Sequence, residues 1–487
     1  MKLLSRIPSS VYLLGLFVLA LAVRLLHITT TDIAGDEPFS IFMAQFPISD
    51  IITYLNTGNN PPLFEILLHY YMKCVGDSDF LLRMFPTVCS ALTVVPIFLI
   101  GDRFLNRRVA VAASLVFIFS IYNIRFAHEV RVYALFTLVF AWSLFLFLSV
   151  VKKPESWLAW LGLAMANTAL LYSHYLSVYV LFTQGLTALL FVPKNKWKYL
   201  VGTFAITLLI YSPSLMVFAQ RLGRVSDGGT WVPAPGWGEI YGSINLLLNS
   251  KITTIVILLT VFLGVRITAK QSFVGRVKSI FQNKFGMAIL LWFALPYGLM
   301  FFVSKFYMPM FIDRYILFIS VPLFLAITWF VDELWSTSKA RSLGVGLIVL
   351  ASVFTTDVNP SNNREIAAAT KQISELKNAE TAVYIAPAHF NLAFAYHYNR
   401  DLFKLTGSNF PSQALDSALR AENVHFVNTL QEVNIDSQRI IYLDAASEFV
   451  NPNNGILQHL QDNMEQVDFY HYDEIFDIYV FETRRNR

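Results

Sequence analysis

Charge is scarce in this sequence. Only 14% of the 487 residues are Asp, Glu, Lys or Arg, against 55% that are hydrophobic. With a mean hydropathy of +0.51, too few polar groups remain to clothe a soluble globule of that size. Lipid must be the main solvent. Cysteine is scarcer still: Cys74 and Cys89 cannot build a disulfide scaffold and fit no metal-ligand spacing, so they read as small apolar fillers.

Long apolar runs are what the sequence has instead. Eleven candidate spans occupy about 11–29, 80–101, 108–122, 130–150, 156–172, 175–192, 199–218, 252–267, 286–304, 313–331 and 341–354, near the length a helix needs to cross hydrocarbon. The first has no small-residue cleavage site after it and is expected to be retained. A cytoplasmic N-terminus requires Lys and Arg in alternate loops. They stand there: Lys2 and Arg6, then Arg103, Arg107 and Arg108, then Lys152 and Lys153, then Lys194, Lys196 and Lys198, then Arg266, Lys270, Arg276, Lys278 and Lys284, and last Lys339 and Arg341. In a bacterial cell this predicts a multi-pass protein of the inner (cytoplasmic) membrane with its C-terminal end periplasmic or extracellular.

The net charge of +4 conceals a split. Positions 355–487 hold 18 acidic and 10 basic side chains, leaving 15 acidic and 27 basic for 1–354. The expected organisation is a basic membrane domain, 1–354, whose first exoplasmic loop is 30–79, and an acidic exoplasmic domain, 355–487; nucleic-acid binding is not expected. The tail alternates helical and strand-like runs: Arg364 to Leu376, Ala382 to Ala386, Ser412 to Arg420, Val424 to Asn428, Ile440 to Asp444, Ile456 to Met464 and Ile478 to Thr483. That pattern predicts a small α/β layer domain. It has no glycine-rich phosphate loop and no nucleophile elbow, so a role in stability, acceptor docking or partner contact is expected of it. The loop with Trp231, Pro233, Pro235 and Trp237 reads either as a flap over a site or as interfacial aromatic anchors.

Chemistry-bearing residues gather on the expected exoplasmic side. Asp36 and Glu37 follow the first span, and Asn59-Asn60-Pro61-Pro62 opens an apolar helix. Acidic pairs at a membrane boundary are ordinarily solvated loop charges; their company distinguishes these. Phe126-Ala127-His128-Glu129-Val130-Arg131-Val132-Tyr133 stands at the start of the fourth span, and the i, i+4 spacing predicts that Glu129 and Tyr133 share a helix face. Arg131, Arg314 beside Tyr315, and Arg83 run against the cytoplasmic bias of basic residues. Guanidinium pairs bidentately with phosphate oxygens and stays charged, so these arginines read as a phosphate clamp, joined by His128 and Tyr133. His174 and Tyr175 occupy another exoplasmic turn. Glu65 and His69 have the i, i+4 spacing of two metal ligands, but no compact third ligand is visible, so a divalent metal is not favoured and no cofactor is required.

Together the Asp-Glu pair, the Asn-Pro-Pro-Leu run, Glu129-x-Arg131-x-Tyr133, Ser173-His174-Tyr175 and Arg314-Tyr315 resemble bacterial glycosyltransferase family 39, the GT-C branch that includes protein O-mannosyltransferases and the lipid A aminoarabinose transferase. The resemblance runs over residues 1–354. It implies a GT-C-like membrane enzyme of about eleven helices that takes sugar from a polyprenyl-phosphate donor, with Asp36 as base. Two features depart from the family. Asn59 and Asn60 replace the acid and lysine that precede the prolines in the aminoarabinose branch, removing the acid associated there with a metal. The tail is unlike the sugar-binding insert of the protein mannosyltransferases, so no acceptor is inherited.

These residues supply the parts of an inverting transfer: Asp36 as base and Glu37 as its orienter, Arg131, Arg314, Arg83, His128, Tyr133 and Tyr315 at the donor phosphate, and Glu129, Asn60, His174 and Tyr175 around substrate. The expected partners are membrane lipid, the polyprenyl-phosphate sugar and an exoplasmic hydroxyl on lipid, glycan or protein. A glycan flippase and a surface-glycan polymerase or ligase are the rival readings. A transporter should carry its charges mid-span on broken helices, whereas these acids lie at span ends.

Overall fold

The computed structural model describes residues 8–58, 60–228, 232–268, 278, 280–358, 365–404, 411–472 and 475–484. Each of the eleven expected spans falls on helix. The second is Asp79–Leu92 followed by Val94–Phe104, and the tenth opens with two tight turns before the helix Ser320–Leu334. Five helical stretches among the described residues are long and apolar enough to cross a membrane: Asp79–Phe104, Tyr133–Lys152, Lys194–Gly223, Lys284–Phe306 and Leu317–Leu334. Gly238–Leu247 and Lys251–Arg266 add a sixth if the pair, bent by 91°, is one span, and Ser9–Leu25 and Ser177–Phe191 are apolar but shorter. The protein is thus built as a multi-pass membrane protein. Apolar side chains face outward as lipid solvation demands, with Leu209 73% and Leu258 62% exposed.

By packing, the chain forms two compact units. One comprises Met1–Ile28, Ile52–Leu67 and Arg83–Pro360; the other comprises Thr29–Ile51, Leu68–Leu82 and Ser361–Arg487. Thr29–Ile51, with Asp36 and Glu37, and Leu68–Leu82 belong to the same compact unit as the C-terminal residues.

In the first unit polar contacts hold helices where apolar burial gives no drive for helix pairing within lipid. Asn167 Nδ2 donates to Gln184 Oε1 at 2.7 Å and Ser143 Oγ to Asn167 Oδ1 at 3.2 Å, linking three helices through fully buried side chains. Asp332, fully buried, accepts from Arg108 Nη1 at 2.5 Å and Asn106 Nδ2 at 2.9 Å, with Arg341 Nη1 3.6 Å away. Asn106 also caps the helix Arg107–Ile118. Glycine permits one close approach: a Cβ at Gly286 would lie 2.1 Å from Trp329 Cζ2.

The second unit holds a five-stranded sheet of order β2-β1-β3-β5-β4, with β1 Thr381–Ala386, β2 Val424–Phe426, β3 Arg439–Ala445, β4 Glu465–Tyr472 and β5 Phe476–Glu482. β1 pairs in parallel with β2 and β3; β5 runs antiparallel to β3 and β4. Ile440, Tyr442 and Phe481 pack on one face against Ile456 and Leu460 of the helix Gly455–Asn463. The α/β expectation is met, and β4 is a strand that the sequence reading did not contain. Its burial pattern is almost wholly exposed, so it lacks the in-out alternation by which a half-buried strand announces itself.

Gly286→Ala should overpack the seam at Trp329 and lower stability by about 1–3 kcal/mol. The check is a melting curve in detergent, with Gly298→Ala, where a Cβ meets nothing within 4 Å, expected to melt like the wild type.

Candidate active site

In the second unit, the chain after the first span closes into a tight turn. Gly35 has φ +60°, a conformation that glycine adopts without strain. The Glu37 amide donates to the Ala34 carbonyl at 3.2 Å, and the Ala34 amide donates to Glu37 Oε2 at 3.1 Å. The two adjacent carboxylates therefore differ: Glu37 is buried inside the turn it closes, while Asp36, at the N-terminus of the helix Glu37–Met43, is exposed. C-terminal helices fix this turn. Asp32 Oδ2 accepts from the Ala367 amide at 2.8 Å, at the start of the helix Ile366–Leu376, where an acid also meets the positive helix end. His397 Nε2 bonds the Ile33 carbonyl at 2.7 Å, and the Phe42 and Phe403 rings lie 5.3 Å apart.

In the first unit, Arg131, Arg314, His174, Tyr133 and Tyr315 form one group. The His174 ring lies 5.1 Å from that of Tyr315, which lies 6.4 Å from Tyr133. Tyr133, Phe136, His174, Arg314 and Tyr315 line a small cavity. Burial first, and then the positive fields of Arg131 and Arg314, lower the His174 pKa to about 3. Both guanidinium charges thus act on one neutral imidazole, whose Nδ1 accepts the Leu176 amide at 3.2 Å. Arg131 is 7% exposed. Arg314 sits in the turn Asp313–Tyr315, its amide bonded to Asp313 Oδ1 at 2.8 Å.

Two expected members stand in a separate cluster. His128 Nε2 bonds the Arg24 carbonyl at 2.6 Å, and Arg83 Nη1 donates to the Ile28 carbonyl at 2.9 Å. Burial first, and then the charges of Arg83 and Arg24, lower the His128 pKa to about 4. Both side chains anchor the end of the first helix. The expected helical face of Glu129 and Tyr133 is corrected: the helix begins at Tyr133, and Glu129 lies in a bend where the Arg131 amide bonds the Glu129 carbonyl at 2.7 Å. Glu129 Oε1 is 4.0 Å from Arg125 Nε. Of the proposed metal pair, His69 Nδ1 bonds the Ala44 carbonyl at 2.8 Å. No metal-ligating group of three or more appears among the described residues.

Sequence reasoning missed Arg221. On the helix Trp197–Gly228, Leu200, Phe204, Leu208, Tyr211, Leu215 and Phe218 line an apolar groove of ≈ 510 Å³ shared with Val178, Phe182, Leu186 and Leu189. Arg221 continues that stripe at the same spacing. Its guanidinium lies 5.7 Å from the Tyr175 ring, which stands 5.8 Å from Phe218, and its Nη1 donates to the Gly58 carbonyl at 2.7 Å. Arg221 thereby reaches the loop of Asn60, which is partly buried. The legible signal was the three-and-four spacing that ends on a charge. Of the loop read as a flap or as interfacial anchors, Trp231 lies outside the described residues. The part that follows is docked: Lys305 Nζ bonds the Pro235 carbonyl at 2.9 Å and lies 4.9 Å from the Trp237 ring centre.

Residues 59–216 match the family of dolichyl-phosphate-mannose-protein mannosyltransferases. That stretch contains Asn60, Arg83, His128, Glu129, Arg131, Tyr133, His174 and Tyr175. Among curated proteins, none matches the sequence. Among solved structures, ArnT from Cupriavidus metallidurans in the apo state is similar with a TM-score of 0.58 at 10% identity, covering 97% of this chain and 98% of that one. The same enzyme bound to undecaprenyl phosphate gives 0.57. The oligosaccharyltransferase AglB from Archaeoglobus fulgidus, in complex with an inhibitory peptide and a dolichol-phosphate, gives 0.50 at 12% identity, over 97% of this chain and 74% of that one. The structural matches give the GT-C fold and the family match gives the activity class: the chain is a membrane glycosyltransferase of GT-C type.

With folded pKa values of about 3 and 4, His174 and His128 bind protons in the unfolded chain, at the ordinary 6.5, before they do in the folded one. Stability should therefore fall as pH drops from about 6.5 toward 4. Melting in detergent at pH 7 and pH 5 checks this, with a smaller drop expected for His128→Gln with His174→Gln.

Proposed function

We propose that this enzyme transfers a sugar from a polyprenyl-phosphate donor to a hydroxyl acceptor on the exoplasmic face of the inner membrane, with inversion. The observation that carries the donor assignment is the convergence of Arg131 and Arg314 on the neutral His174 beside Tyr133 and Tyr315. A phosphate leaving with its full charge needs fixed positive groups in a water-poor place, where their attraction is strongest. A neutral imidazole there and two phenols add hydrogen-bonding groups without competing charge. The bound lipids of the similar folds, undecaprenyl phosphate on ArnT and a dolichol-phosphate on AglB, point to the same donor class.

The polyprenyl chain has a seat in the apolar groove of the 177–191 and 197–228 helices. Arg221 and Tyr175 at its end place a cation where a lipid's anionic head emerges. Asp36 acts as the base, supported by its exposure and by the buried Glu37 that holds its turn. Transfer joins the acceptor oxygen to the anomeric carbon as the bond to the donor phosphate breaks. The acceptor proton passes to Asp36 and the electron pair leaves with the phosphate. His128 and Arg83 support this site by fixing the first helix.

Asp36→Asn should lower transfer from a polyprenyl-phosphate sugar by about a hundred- to ten-thousand-fold while leaving polyprenyl-phosphate binding intact; unchanged transfer by the inserted variant would remove the base assignment. Removing the guanidinium in Arg131→Ala or Arg314→Ala should cost more than about tenfold in kcat/KM, with partial recovery in the lysine variants, which keep the charge and lose the fork. Arg221→Ala should weaken polyprenyl-phosphate binding and spare that of a short-chain donor more than Arg131→Ala does, read by titration of both lipids into the purified protein.

A further inference from the structure

At the free edge of the sheet, β4 and β5 carry a patch that nothing in the donor chemistry uses. Register partners in a sheet share a face, and Phe469 pairs with Tyr479, which pairs with Tyr442. The three rings form a ladder: Tyr442 and Tyr479 are stacked at 6.1 Å, and Tyr479 and Phe469 lie 5.0 Å apart. Tyr442 is fully buried, whereas Phe469 is 49% exposed. On the same face, one pair along, His471 opposes Asp477. Their side chains are joined, His471 Nδ1 to Asp477 Oδ1, at 2.6 Å, and both keep open surface at 55% and 33%. The Tyr479 hydroxyl approaches Asp477 Oδ2 at 3.4 Å.

This corner combines three properties. An aromatic face is exposed where edge strands ordinarily put charge or proline. A carboxylate and an imidazole beside it are held in a fixed geometry, and the carboxylate oxygens retain acceptor positions. The surroundings are acidic. Asp444 lies across from Asp477 in the β3–β5 register, and its carboxylate is occupied by Asn454 Nδ2 at 2.6 Å and the Ser447 amide at 2.8 Å. Burial, then the fields of Asp477 and Asp444, raise the Tyr479 phenol to about 12. With 18 acidic and 10 basic residues in 355–487, an anionic lipid surface or a polyanionic chain is repelled. A sugar ring suits what remains: its electropositive C–H face fits the negative face of an aromatic ring, and its hydroxyls suit a carboxylate beside it.

We propose that this open corner binds a neutral or amino-bearing saccharide, stacking one sugar face on Phe469 and hydrogen-bonding adjacent hydroxyls through Asp477 and His471. It rests on the glycosyltransferase reading in one respect, that the saccharide belongs to the acceptor. The acceptor class is then a glycan or glycolipid.

Saturation-transfer NMR on the full chain in nanodiscs of zwitterionic lipid tests it, with cellotetraose, chitotetraose, the chitosan tetramer and tetragalacturonate as probes. At least one of the first three should bind and tetragalacturonate should not. Phe469→Ala should weaken binding about tenfold or more, the scale of losing one stacking platform, and the near-isosteric Asp477→Asn should weaken it severalfold, with melting temperatures kept. Failure of all three probes to bind, equal binding by the two variants, or binding of tetragalacturonate as tight as that of the others overturns the proposal. Polyprenyl-phosphate binding in the same nanodiscs is scored separately: its absence refutes the donor reading and leaves the saccharide result standing.

Discussion

Within hydrocarbon no water is present to complete a hydrogen bond, so every polar group carried into the bundle must find its partner in the protein. Three buried groups illustrate it. Arg24, fully buried at the end of the first helix, donates to Ser90 Oγ at 2.7 Å and to the carbonyls of Ala20 and Phe117 at 3.2 and 3.3 Å. Asp332 gathers Arg108, Asn106 and Arg341, and Asn167 and Gln184 hold each other across two helices. His128 and Arg83 bond the backbone of the first helix and so belong to this framework, although their residue types and positions match those of the donor-binding group.

The same constraint shapes the donor group. A protonated imidazole between Arg131 and Arg314 would add a third positive charge at a half-buried place, and burial and repulsion both oppose it. His174 therefore stays neutral across physiological pH, leaving the two guanidinium charges for the proposed donor phosphate. In the second unit the corresponding economy is local. One carboxylate, Glu37, is used to close the turn at Gly35, and the other, Asp36, is exposed. The C-terminal residues pin this turn through Asp32 and His397.

Much of this was readable before folding was considered, wherever a residue's meaning depends on its neighbours in the chain. The spans were legible because twenty apolar residues have one economical conformation in lipid. Arg131 and Arg314 were legible as exceptions to the charge asymmetry of the loops. The strand Ala382 to Ala386 was expected and found as Thr381–Ala386, since a continuous apolar run bounded by polar residues suits a strand buried on both faces. β4 escaped because it is exposed along nearly all its length. Arg221 escaped because the end of a long apolar stripe looks like the end of a span until the groove beside it is known.

Composition and order by themselves determined a multi-pass membrane body and an acidic α/β tail, because these follow from solvation and local periodicity, while the GT-C likeness of the acids and arginines rested on their resemblance to a known family. Only the tertiary structure decided the sorting of near-identical residues: Asp36 open and Glu37 buried, His174 among arginines and His128 on a backbone carbonyl, Arg131 and Arg314 in one group and Arg83 in another. Side chains of the same chemistry have the same sequence signature. Burial and the partner within three ångströms separate them, and both are set by chain segments far apart in sequence.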